Sequence, residues 1–289
     1  MSARMDACIP ESHCLRQTSA VVFCAVDAFL PLRGNFQAGF DEFSVALDHA
    51  GIPAVWVTSR SRAQMDARIR ELGHHHPFIA EDGSGVYLPE GYFHLRPAKT
   101  VRLGRFTCIP IAEGQPAASE ALESLAEEIG VSVVPLRSLS PRELAQNLGL
   151  PEREAELARQ RDFDEPFFFA GASEPDIARF RAEAGSRQLA LRQHGVLWSL
   201  AAGADLRQCV RELSKLYDRA LRYHPTILGI ATPEESSGLF PACDRELLLA
   251  RRPAVETPSP PARRAKTKEL PLSAPDLWER VLAEVSPRS

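Results

Sequence analysis

The sequence predicts an α/β fold, a doubly wound parallel sheet core with an inserted α/β cap domain. Three observations predict it. Short unbroken apolar runs, VVFCAV at 21–26, IPAVWV at 52–57 and TILGIA at 226–231, read as strands buried on both faces. Segments of helical spacing alternate with them, as βαβ units require. Between residues 96 and 198 a further alternation of helices and strands carries enough apolar residues for a core of its own.

The elements follow in order. After a polar leader (residues 1–18), VVFCAV forms the first strand, with Asp27 just beyond its end. FDEFSVALDHAG places Phe40, Phe43, Val45, Ala46 and Leu47 near helical spacing, and Gly51 ends that helix. IPAVWVTSR is the second strand, SRAQMDARIRELG the next helix with Gly73 at its end, and PFIAEDGSGVYLP a pair of short strands around a turn. In an open parallel sheet ligands sit at the carboxyl ends of the strands, so Asp27, Thr58, Ser59 and Arg60 share one rim. The core then spans residues 19–95 and 199–250, with the cap at 96–198.

Within the cap, VRLGRFTCIPI reads as a strand, ASEALESLAEEIG as a helix and VSVVPL as a strand. SPRELAQNLG has Ser140 as N-cap and Pro141 in the first turn. PEREAELARQRD is a further helix before DEPFFFAG, and the strands QLALRQHG and VLWSL lead back to the core through the amphipathic helix DLRQCVRELSKLYDRAL. Residues 251–273, rich in proline and basic side chains, read as a disordered linker. Residues 274–286 read as a terminal amphipathic helix with Leu277, Trp278, Val281, Leu282 and Val285 on one face.

Composition narrows the setting. The 289 residues are 44% hydrophobic and 25% charged with a net charge of -4, ordinary for a soluble protein and without a basic field to draw nucleic acid. The cysteines, Cys8, Cys14, Cys24, Cys108, Cys209 and Cys243, are scattered without a CxxC pair, which fits a reducing, cytoplasmic location. No apolar run has signal-peptide length or approaches the roughly 18 residues that span a bilayer. The run His74, His75, His76 reads as a solvated loop, and Arg263, Arg264, Lys266 and Lys268 as solubilising charges.

Three stretches, VWVTSR, PFIAEDGSGVYLPEGYF and LSPRELAQNLGLPEREAELARQRDFDEPF, resemble the haloacid dehalogenase (HAD) superfamily of phosphohydrolases, in its mannosyl-3-phosphoglycerate phosphatase branch. The resemblance covers about residues 19–250. It implies a HAD-like core and cap, and a first strand ending in two aspartates one residue apart, the first a nucleophile and the second an acid/base. Here AVDAF puts Ala25 at the nucleophile position, Asp27 at the acid/base position and Phe29 where a threonine is implied. Thr58, with Ser59 and Arg60 beside it, falls at the phosphoryl-binding second motif. Arg161, Asp164 and Glu165 match the cap segment that faces the sugar phosphate. In ADLRQC, Asp205 remains but Leu206 stands at the lysine position, and in GIATPEESSG Thr232 stands at the first acid of the magnesium motif, with Glu235 and Ser236 at the second pair.

Nucleophile, lysine and a metal ligand are thus absent together, and without them the charge on a transferring phosphoryl group has little to stabilise it. Cys24, next to the nucleophile position, faces the opposite side of the strand. Glu234 and Glu235 are the weak remaining metal candidates. Two functions stay open: a degenerate family member that binds a ligand or partner, or a working magnesium-dependent phosphatase for a phosphorylated sugar acid. No cofactor is expected in the first case and magnesium in the second. The partners expected are a small phosphorylated or sugar-acid ligand and a protein reached through the C-terminal tail, with no membrane and no nucleic acid. Plainer roles compete at each residue: Asp27 closing a turn, Thr58 and Ser59 satisfying backbone groups, and Arg161 to Glu165 forming a turn fixed by Pro166 and Phe167.

Overall fold

The computed structural model describes residues 18–30, 37–95, 97–250 and 266–285. Strands β1 (Ala20–Ala25), β2 (Ala54–Val57) and β3 (Phe78–Ala80) alternate with helices α1 (Phe40–His49) and α2 (Arg62–Leu72). Local signals hold these boundaries. Ser61 and Gln64 form a reciprocal capping box at the start of α2, and Gly73, in the left-handed region at φ 68°, closes its end. β4 (Gly85–Leu88), β5 (Val101–Leu103) and β6 (Phe106–Pro110) follow as antiparallel strands.

A second unit is inserted next, made of α3 (Gln115–Ile129), β7 (Val133–Pro135), α4 (Pro141–Leu148), α5 (Glu152–Arg159), β8 (Glu165–Phe169), α6 (Glu174–Ser186), β9 (Leu189–His194) and β10 (Leu197–Ala202). The chain returns through α7 (Leu206–Leu221), β11 (Thr226–Ala231), α8 (Pro233–Leu239), β12 (Arg245–Ala250), β13 (Thr267–Pro271) and α9 (Leu277–Val285). The core sheet has nine strands in the order β13-β12-β11-β1-β2-β3-β4-β6-β5, and the cap sheet has four in the order β7-β8-β10-β9. Every core pairing from β13 to β3 is parallel, which gives the doubly wound α/β core with an inserted α/β cap that the sequence predicts.

Both faces of the core sheet are covered, so all six residues of β1 are buried. Val22 and Cys24 pack with Trp56, Phe40 and Phe78 on one side, while Val21, Phe23 and Ala25 pack with Leu213, Tyr217 and Phe240 on the other. The cap has its own core around Leu122, Leu125, Phe167, Phe180, Trp198 and Leu200. Among the described residues no helix is long and apolar enough to cross a membrane.

Several boundaries differ from the sequence reading. VRLGRFTCIPI is a hairpin, β5 and β6, and belongs to the core sheet, so the inserted unit begins after Pro110 and ends at β10. Alternating apolarity says that a segment joins a sheet but not which sheet. The linker assigned to 251–273 contains β13, paired in parallel to β12 from Thr267 to Pro271; its single buried side chain, Leu270, is too weak a signal among basic and proline residues. Residues 251–265, with Arg263 and Arg264, and leader residues 1–17 lie outside the described residues. The terminal helix is formed, and its apolar face is turned inward: Leu277, Trp278, Val281 and Val285 are buried, with Trp278 among Phe29, Phe40 and Phe43. That face is therefore not exposed for a partner. His74 and His76 are also buried rather than solvated, His74 stacked on Trp56 with ring centroids 3.8 Å apart.

Candidate functional site

The carboxyl ends of the parallel strands place Asp27, Thr58, Ser59, Asp82 and the start of α8 around one cleft of about 470 Å³. The cap covers it with Arg192, Gln193 and His194 from the β9 hairpin, and α7 contributes Asp205, Leu206 and Arg207. The first-strand backbone thus brings Ala25 and Asp27 to the cleft together, and Cys24 lies among the apolar residues of the opposite sheet face. Burial drives the Cys24 thiol far above its ordinary pKa, which removes it as a nucleophile.

Asp27 is fully engaged by its neighbours. The Thr58 hydroxyl donates to one carboxylate oxygen, and the Ser59 backbone N–H and hydroxyl donate to the other at 2.7 and 2.6 Å. The Arg60 guanidinium lies 3.7 Å from it and donates to the Leu30 carbonyl at 2.5 Å. The groups that the resemblance assigns to a phosphoryl oxygen therefore donate to Asp27, and Arg60 is buried beside them.

The remaining positions are also built into the fold. Leu206, at the lysine position, packs so closely that a Cβ on Gly83 would lie 2.5 Å from its backbone, and one on Gly238 would lie 3.3 Å from its side chain. Asp205 caps α7, accepting from the N–H groups of Arg207 and Gln208 at 2.9 and 3.2 Å. Thr232 and Glu235 form the capping box of α8, with the Thr232 hydroxyl 2.9 Å from the Glu235 carboxylate. Desolvation, followed by the charge of Asp27, pushes the Glu235 carboxyl up to about 7.

These donors do not fit magnesium. Mg²⁺ requires carboxylate and carbonyl oxygens in near-octahedral array. Ala25 offers none, Thr232 offers a hydroxyl already bonded to Glu235, and the Asp27 oxygens already accept three hydrogen bonds. Glu234 and Glu235, the latter held by its cap, line the cleft with Asp27, Asp82 and Asp205, but among the described residues no three of these carboxylates have oxygens within 4.8 Å of one another.

In the cap, Arg161 is buried and bidentate to Asp164 at 2.5 and 2.7 Å, and it donates to the Ser59 carbonyl at 2.8 Å. It joins cap to core and lines a second cavity, of about 370 Å³, together with Asp27, Ser59 and Arg60. Glu165 points into the cap interior, where Gln115, Ser119 and Arg137 donate to it at 2.6, 2.5 and 2.8 Å.

Sequence reasoning missed the residues that complete the cleft. His194 Nε2 lies 2.7 Å from Asp82, bridging cap and core across 112 residues of sequence. Desolvation lowers the His194 pKa, but the hydrogen bond and charge of Asp82 outweigh it and raise it to about 9. The QHG turn after β9 was the one local signal, since Gly195 sits in the left-handed region a hairpin turn needs. A raised histidine stabilises the fold fully below its unfolded value, about pH 6.5, and that contribution is lost as pH rises through about 9. The side chain keeps 37% of its surface in water, so screening reduces the effect to about 1 kcal/mol. Urea unfolding should therefore show His194→Gln about 1 kcal/mol less stable than wild type near pH 6 and equal to it near pH 10; a gap unchanged with pH would refute the bridge.

The protein is thus a doubly wound α/β core with an inserted cap, whose rim carries Ala25, Leu206 and Thr232. No family model matches the chain. It is 26% identical over 200 residues to a glucosyl-3-phosphoglycerate/mannosyl-3-phosphoglycerate phosphatase of Methanococcoides burtonii, covering 68% of this chain and 72% of that one. To a mannosyl-3-phosphoglycerate phosphatase of Pyrococcus furiosus it is 27% identical over 177 residues, 60% of this chain and 68% of that one. Among solved structures, a phosphatase of the haloalkanoate (HAD) superfamily from Bacteroides thetaiotaomicron superposes with a TM-score of 0.58 at 13% identity, over 97% of this chain and 98% of that one. In fold the chain is HAD-like, and in sequence it is similar to mannosyl-3-phosphoglycerate phosphatases.

Proposed function

We propose that this protein binds a small sugar-acid ligand in the rim cleft and does not hydrolyse a phosphate ester. One observation carries the reading: Ala25 stands at the nucleophile position while Thr58 and Ser59 donate to Asp27. A phospho-aspartate cannot form on Ala25, and Asp27 used as a nucleophile would vacate the acid/base position that the resemblance gives it. The lysine and the magnesium ligands that the resemblance implies for the transferring phosphoryl charge are also replaced, by Leu206, Ala25 and Thr232.

The cleft still offers recognition chemistry. Arg192 and Arg207 line it and form no ion pair among the described residues, so they suit the carboxylate of a sugar acid. Glu234, which also lines the cleft, supplies an acceptor for sugar hydroxyls. The activity of these relatives supports mannosyl-3-phosphoglycerate and its dephosphorylated form as the first compounds to try. A cytoplasmic location belongs to the same proposal.

The second reading, an active magnesium-dependent phosphatase, is favoured by the sequence relatives alone. Phosphate release from mannosyl-3-phosphoglycerate and a panel of sugar phosphates, with magnesium, decides between them beside an Asp27→Asn control. The expected result is no release above that control, with calorimetric binding of the dephosphorylated compound. Turnover that Asp27→Asn abolishes establishes the phosphatase, and no binding of either compound sinks the ligand reading.

A further inference from the structure

A second cluster lies at the other end of the sheet. Asp48 is in the last turn of α1, before β2, and His75 and His76 sit between α2 and β3. The amino ends of the parallel strands are there, opposite the rim. Among the described residues, Asp48, His75 and His76 form the one group of three potential metal ligands whose donor atoms all lie within 4.8 Å of one another.

We propose that Asp48, His75 and His76 bind one Zn²⁺ ion, with water completing a tetrahedral site that fastens the end of α1 to the α2–β3 loop. The donor set is chemically apt, since two imidazoles and a carboxylate are ligands that zinc accepts. The spacing is close to what the ion requires. With Zn–N bonds of about 2.0–2.1 Å, tetrahedral ligand atoms lie about 3.4 Å apart. His76 Nε2 and Asp48 Oδ1 are 2.9 Å apart, so a small separation admits the ion, and rotation of the half-buried His75 ring closes the remaining distance.

The surroundings also resemble those of a ligating histidine. Such a ring is fixed by a partner on its second nitrogen. His76 Nδ1 lies 2.9 Å from the Tyr92 hydroxyl, which is itself 3.0 Å from the Tyr217 hydroxyl on α7. In the metal-free state His76 donates through Nε2–H to Asp48 and accepts at Nδ1 from Tyr92. On binding zinc the ring proton moves to Nδ1 and donates to Tyr92, whose own proton turns to Tyr217. Both hydroxyls can donate and accept, so the His76 ring keeps a partner on Nδ1 in either state. His75 has no hydrogen-bond partner among the described residues and is free to turn toward the site.

The test uses the full chain, stripped with chelator and titrated with Zn²⁺ by calorimetry, beside His75→Gln and Tyr92→Phe. His75→Gln removes one ligand without disturbing the buried His76 pair, and a wild-type circular dichroism melt verifies its fold. One equivalent should bind to wild type, and both variants should bind at least about tenfold more weakly. Co²⁺ substitution separates this site from the cysteines, including Cys8 and Cys14: imidazole and carboxylate ligands give ligand-field bands without thiolate charge transfer. No binding to wild type, undiminished binding to His75→Gln, or a thiolate band overturns the proposal.

Discussion

Replacing Glu81 by alanine is expected to destabilise the protein by about 3–5 kcal/mol, the cost of opening a buried charge network. Glu81 is fully buried between core and cap. Its carboxylate accepts from the backbone N–H groups of Asp162, Phe163 and Asp164 at 2.9 to 3.3 Å, and Arg161 lies 4.0 Å away. Alanine leaves three amide donors without that acceptor, each orphaned N–H costing about 1–3 kcal/mol, and removes one of the carboxylates around a buried guanidinium. Burial pushes the Glu81 carboxyl up to about 8 against the opposing pull of Arg161. Glu81→Gln, which keeps an acceptor oxygen, should cost distinctly less than Glu81→Ala. Urea unfolding measures the loss, and hydrogen exchange at residues 162–164 should accelerate in the alanine variant. A change below 1 kcal/mol with unaltered exchange would show that the cap is held by other contacts, chiefly Arg62 to Asp162 at 2.8 Å.

That junction shows where sequence reasoning stops. The helices were legible because each carries its own boundary: Ser140 and Glu143 cap α4, and Gly130 closes α3 at φ 75°. The rim was legible because β1, β2, β3 and β11 run parallel, so Asp27, Thr58 and Ser59 had to meet. Glu81 was hidden inside EDG, which reads as a turn. Nothing local shows that Glu81 and Asp82 both adopt left-handed backbone, at φ 53° and 54°, and present their carboxylates to the cap. His194 and Asp82 pair across units whose relative placement no periodicity encodes. Thr58 likewise reads as a ligand donor or as a backbone partner until its hydroxyl is seen to donate to Asp27, and Glu165 follows an apolar-strand pattern that leaves open which way a first residue points.

The C-terminal segment gives the other large effect. Trp278→Ala is expected to cost about 4 kcal/mol, in the range for removing a large buried aromatic. The indole is 6% exposed and meets Phe29, Phe40 and Phe43 with ring centroids 5.0, 4.9 and 5.0 Å away, so truncation leaves a cavity under α9 that three rings cannot fill. Its N–H has no acceptor among the described residues, which already costs about 1–3 kcal/mol. Trp278→Phe removes that orphan along with part of the ring and should lose much less than alanine. Phe29 stands where the resemblance implies a threonine at the phosphoryl end of the first strand, and here it is 1% exposed and faces Trp278 edge-on. The loop that should serve the site has become core, sealed by α9. Removing everything after Ala250 would therefore strip the Phe29 cover and bare β12, with Leu247 and Leu249, as an open parallel edge. The truncated chain should aggregate on expression. A soluble, cooperatively melting truncation would show that β13 and α9 are an appendage and would return the tail to the role of a partner-binding arm.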